Sequence, residues 1–69
     1  MNNPIVLTNI QPGIIYYTDT AMDCEVKLNR VENNTIFFDL ISETNGGYIQ
    51  EPDGTLAFPL NEFVYFYEK

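Results

Sequence analysis

Histidine and tryptophan are absent from this sequence, cysteine occurs once, and Lys and Arg together number three among 69 residues. Each shortage excludes a class of function. Without histidine, the usual general base is missing and Ser-His-Asp or Cys-His nucleophile systems cannot be assembled. A zinc site takes about four Cys or His ligands, and Cys24 is the one candidate present. That lone Cys24 can form no internal disulfide. Three bases against ten acids give a net charge of -7, which repels nucleic-acid phosphates and anionic lipid. Direct nucleic-acid binding and membrane-surface binding are therefore not expected. No apolar run approaches the ~20 residues of a membrane span, and the N-terminus MNNPIV has no charged, apolar secretion signal. The expectation is a complete, soluble, cytoplasmic protein that uses no cofactor.

What is there is apolar and aromatic. Hydrophobic residues make up 45% of the chain, and five Phe and five Tyr stand among them. That is too many aromatics for a disordered acidic tail, and the length fits one domain over residues 1–69. A core of this size supplies about 3–5 kcal/mol of net stability. Disulfides and zinc are excluded, so dense aromatic packing or self-association must supplement it.

Turn signals cut the chain into short runs, as in a small all-β protein. Residues 4–10 form a first apolar stretch closed by Gln11-Pro12-Gly13, and Ile14 to Thr18 is strongly β-prone. Next, Cys24, Val26 and Leu28 alternate with Asp23, Glu25, Lys27 and Asn29, the period of a half-buried strand. Residues 35–41 return. A two-residue loop would oppose Leu28 to Asp39. A three-residue loop at 32–34 opposes Leu28 to Phe38 and Val26 to Leu40 inside and Lys27 to Asp39 outside, like to like, with Asn34 left-handed. Pro52-Asp53-Gly54 makes a second three-residue hairpin, facing Tyr48 to Phe58 and Gln50 to Leu56 with Gly54 left-handed. Glu43-Thr44-Asn45-Gly46-Gly47 reads as a flexible loop between the hairpins. Residues 60–67 fit helical spacing through Leu60, Phe63, Val64 and Tyr67. The β-branched and aromatic run from Phe63 to Tyr67 instead favours one 3-10 turn at 60–62 followed by a final strand.

Five short strands with hairpins in the middle indicate an SH3-like barrel or a strongly bent antiparallel sheet, which manages exposed edges. Gly54 to Val64, reading GTLAFPLNEFV, resembles the end of SH3-like domains, where a proline, a 3-10 turn and a last strand follow one another. Pro12 to Tyr17 is similar to the first strand of Tudor- and KOW-type barrels. The chain lacks tryptophan and the tyrosine-rich acidic motif of the proline-peptide binders, so the resemblance implies a fold and no ligand.

No catalytic set and no metal site emerges. Cys24 falls on the inner face between Asp23 and Glu25, which would raise a thiol pKa rather than lower it. Glu51 and Asp53 belong to a turn, where solvation accounts for them better than Ca²⁺ or Mg²⁺. Gly46-Gly47 lacks the spacing of a phosphate loop. Binding is the remaining class. Asp23, Glu25 and Asp39 lie on the expected outer face beside Phe37, Ile41 and Val31. Carboxylates at i and i+2 of a strand stand roughly 6.6 Å apart. Such an acidic row with apolar neighbours suits a basic, nucleic-acid-handling groove on another protein, as with small phage-type inhibitors of host defence. It also fits ordinary solvated strand charge, and Phe37 and Ile41 could equally lie under the chain termini. Phe63, Tyr65 and Tyr67 share one face of the last strand and Val64 and Phe66 the other. One side is core; the other is either packed internally or an interface. Two functions follow: an acidic binding protein that occupies a basic surface, or an SH3-like adaptor docking through aromatic residues, with a homodimer as one form of that docking.

Overall fold

The computed structural model describes residues 3–18, 24–44 and 48–69. Six strands form one open antiparallel sheet: β1 (Ile5–Val6), β2 (Ile15–Tyr17), β3 (Cys24–Glu32), β4 (Thr35–Glu43), β5 (Thr55–Pro59) and β6 (Tyr65–Glu68). Their order across the sheet is β1-β6-β2-β3-β4-β5. The all-β class is as expected from the short, turn-bounded runs, with six strands in an open, bent sheet. Residues 48–50, expected to pair as a strand, form none. Tyr48 nevertheless sits against Phe58, ring centroids 6.5 Å apart. The Pro52–Gly54 loop closes as expected, with Glu51 N–H donating to the Thr55 carbonyl at 2.7 Å and Gly54 at φ +87°.

The β3–β4 hairpin reaches the expected facing by a different route. Glu32 pairs with Thr35, so the loop is the two residues Asn33-Asn34, both left-handed at φ 53° and 58°. Asn tolerates that conformation where most residues lose about 1–2 kcal/mol, and two such residues make the turn whose twist matches a hairpin. A two-residue turn alone would set Leu28 against Asp39. An extra residue, Asn29, intervenes between the Leu28–Phe38 and Arg30–Phe37 pairs. This bulge restores the Leu28–Phe38, Lys27–Asp39 and Val26–Leu40 pairs. A second bulge adds Ile41 on β4, between the Val26–Leu40 and Glu25–Ser42 pairs.

Bulges bend strands and deepen twist, and here the sheet curls over its inner face. Phe66 on β6 and Phe58 on β5 are four strand steps apart in the sheet order. Laid flat, that separation would be about 19 Å at the usual strand spacing. Their ring centroids are 5.6 Å apart, and Phe38 on β4 completes the group at 4.9 Å from Phe66 and 5.8 Å from Phe58. Around these rings lie buried Leu7, Ile10, Tyr16, Cys24, Val26, Ile36 and Leu56. The Tyr16 hydroxyl, inside the core, accepts from Gln11 N–H at 2.9 Å, as a buried phenol requires.

At 60–62 the chain makes the expected turn. Glu62 N–H donates to the Pro59 carbonyl at 3.0 Å, the three-residue spacing of 3-10 geometry, and a strand follows. The 3-10 helix itself is Leu7–Asn9, inside the first apolar stretch. Among the described residues, no helix is long and apolar enough to cross a membrane.

Truncating a buried Phe costs about 3–5 kcal/mol, close to the whole net stability of a domain this size. Phe66→Ala is therefore expected to be largely unfolded in buffer, read by loss of amide dispersion and by urea titration. A cooperative transition at the wild-type midpoint would contradict the role given to this ring.

Candidate functional site

Strand alternation and register together define the outer face. Tyr67, Tyr17, Glu25 and Ser42 form one row across β6, β2, β3 and β4. Ile15, Lys27 and Asp39 form the next, and Arg30, Phe37 and Ala57 another. Tyr65 stands opposite Val6 on the far side. Of the candidate contact residues, Glu25, Phe37, Asp39, Tyr65 and Tyr67 thus share this face. Ile41 is the exposed bulge residue of β4. Asp23 lies outside the described residues.

The charged members have partners within the chain. The Lys69 ammonium donates to Glu25 Oε1 at 2.9 Å. That hydrogen bond and the carboxylate charge hold the Lys69 pKa above its ordinary value. Lys69 arrives there because its backbone N–H donates to the Ile15 carbonyl at 2.9 Å, continuing the β6–β2 pairing. Asp39 faces Lys27 across the ladder and accepts from Asn29 Nδ2 at 2.8 Å, so the bulge residue also serves the carboxylate.

Phe37 is half-buried. The Arg30 guanidinium lies over its ring, 4.0 Å from the centroid. Arg30 also reaches Asp53 at 3.3 Å and Glu32 at 3.6 Å, and it donates to Asn29 Oδ1 at 3.1 Å. A cation over an aromatic face is favourable by about 0.5–1 kcal/mol at such half-exposed positions. Sequence reasoning missed this cap, because Arg30 reaches the outer face beside Phe37 only through the one-residue shift at Asn29.

Asp53 accepts from Thr55 N–H at 3.0 Å and from the Thr55 hydroxyl at 2.6 Å. These bonds, with Arg30 behind them, hold its pKa below the ordinary 3.8. The carboxylate is thus committed to shaping the turn, and among the described residues no group of three Cys, Asp or Glu side chains is arranged to hold a metal ion. An open groove of about 510 Å³ between Asn33–Asn34–Thr35 and Pro59–Leu60–Asn61 offers amide, hydroxyl and aliphatic groups, none of them titratable.

Two exposed side chains complete the surface. Phe63 is 97% and Ile49 92% exposed. The alternation of Phe63, Tyr65 and Tyr67 against Val64 and Phe66 was the signal for the first. Nothing in the sequence singled out Ile49. No family model, curated protein or solved structure matches this chain. Chemically, the site is a surface of paired charges and open aromatic groups, suited to binding.

The Asp53 shift has a definite sign. A carboxyl whose folded pKa is depressed stabilises the fold above its unfolded pKa, and that contribution is lost as pH falls through the folded value. Asp53→Asn should therefore melt below the wild type at neutral pH, and the gap should close well below pH 3.8. Melting curves at both pH values decide this; a gap that does not change with pH contradicts it.

Proposed function

We propose that this protein is a non-enzymatic binding protein that occupies a basic, nucleic-acid-handling surface of another protein, in the manner of small phage-type inhibitors of host defence. The observation that supports it best is the disposition of its cations. Arg30 is engaged by Glu32 and Asp53, Lys69 by Glu25, and Lys27 faces Asp39. These are all three basic side chains of the sequence, and its ten acidic residues outnumber them by seven. An approaching protein therefore meets a field of one sign. Such a field steers basic partners and speeds their association while repelling polyanions. Glu25 and Asp39 on the outer face, with Ile41, Tyr65 and Tyr67, form the contact surface, and Asp23 belongs with them in sequence.

The test is capture of proteins from source-cell lysate on the immobilised protein, with elution by stepped salt and by a duplex nucleic acid. Nucleic-acid-binding proteins released by both are the expected result. The combined Asp23→Lys, Glu25→Lys and Asp39→Lys variant should capture none of them while keeping the wild-type circular dichroism spectrum. Capture that resists both salt and competing duplex, or that survives the charge reversal, would contradict the proposal.

A further inference from the structure

Phe63 is the most exposed large apolar side chain of the described residues, and its exposure is built in. Leu60 and Val64, on either side, pack against the core. The turn between them is pinned by three backbone bonds: Leu60 N–H to the Asn34 carbonyl at 2.9 Å, Glu62 N–H to Pro59 at 3.0 Å, and Val64 N–H to Glu62 at 3.1 Å. β6 begins at Tyr65, which alternation turns outward beside buried Phe66, and Phe63 projects from the turn just before it. Tyr65 is 52% exposed, and its cross-strand partner Val6 is 40% exposed. Single exposed hydrophobes are ordinary, whereas contiguous ones mark interaction sites. The backbone around Phe63 is already fixed by these bonds, so docking there orders little main chain.

We infer that Phe63, Tyr65 and Val6 form a docking strip, with Phe63 as its anchor, for a protein segment that carries leucine-like side chains flanked by lysine or arginine. The apolar part of that segment covers the strip. Its cations meet exposed Glu62, the aromatic faces and the net charge of -7. That same charge on both partners disfavours a second copy of this chain as the occupant. The partner's basic character rests on the function proposed above; the strip and its anchor do not.

The experiment is an amide-shift titration with three synthetic peptides: a leucine core flanked by lysines, the same core flanked by glutamates, and lysines alone. The lysine–leucine peptide is expected to bind tightest and to shift Val6 and residues 62–65. Phe63→Ala should weaken it at least tenfold without changing the melting temperature, and Glu62→Lys should weaken it severalfold. No binding by that peptide, shifts elsewhere, or an unchanged Kd in Phe63→Ala overturns the strip. If Phe63→Ala is silent but reversal of Asp23, Glu25 and Asp39 abolishes binding, the strip fails and the acidic function stands. If the glutamate-flanked peptide binds equally well and Phe63→Ala abolishes it, the basic partner is wrong and the acidic function falls with it. A dimer in sedimentation that Phe63→Ala dissociates would make a second copy the occupant and overturn the assignment.

Discussion

Contact among Phe38, Phe58 and Phe66 is what the rest of the molecule depends on. A sheet of six strands, open at both edges, has one apolar face and too little area to stabilise itself while flat. Curling brings the β5 and β6 rings to 5.6 Å and lets one face serve as both walls of the core. The curl is made possible by surplus residues on the long strands, Asn29 and Ile41, rather than by loops. Once Phe66 is committed inward, the period of two leaves Tyr65 and Tyr67 no choice but the outer side. Fold and surface are thus consequences of the same ring contact.

Electrostatics add a second constraint. With so few bases, two of the three cations serve a structural purpose. Arg30 clamps β3 to the β5 turn across Phe37, and Lys69 fastens the C-terminus to β3 through Glu25. Each exposed pair contributes little to stability singly. The field outside takes its sign from ten acids set against three bases. The candidate acids are therefore not a bare row. Glu25 and Asp39 are held by local partners, and the negative excess is a property of the whole chain, ten acids against three bases.

Much of the fold was legible from residue patterns. Alternation through Cys24, Val26 and Leu28 identified the inner face of β3, and matching like with like set the core register against Phe38 and Leu40. The turn was misjudged, because a three-residue loop and a two-residue loop with a bulge produce the same facing beyond the bulge. Pattern matching sees the facing and not where the extra residue sits. The 3-10 helix at Leu7–Asn9 was hidden in an apolar run with no break before Gln11. The site was less legible. Shared faces follow from period two, so Glu25, Asp39, Tyr65 and Tyr67 could be grouped. What covers Phe37 could not, since Arg30 reaches it through a bulge and closes on Asp53, 23 residues further along the chain. Pairings of that kind are products of the tertiary fold.

The division of the β6 aromatics between core and surface carries both the fold and the interface, and ring-to-ring nuclear Overhauser effects in a Phe-labelled sample test it most directly. Cross-peaks linking the rings of Phe66, Phe38 and Phe58, with none from Phe63 to any of them, are the expected result. Contacts from the Phe63 ring to Phe38 or Phe58, with Phe66 silent, would invert the last strand and remove the basis of the docking surface.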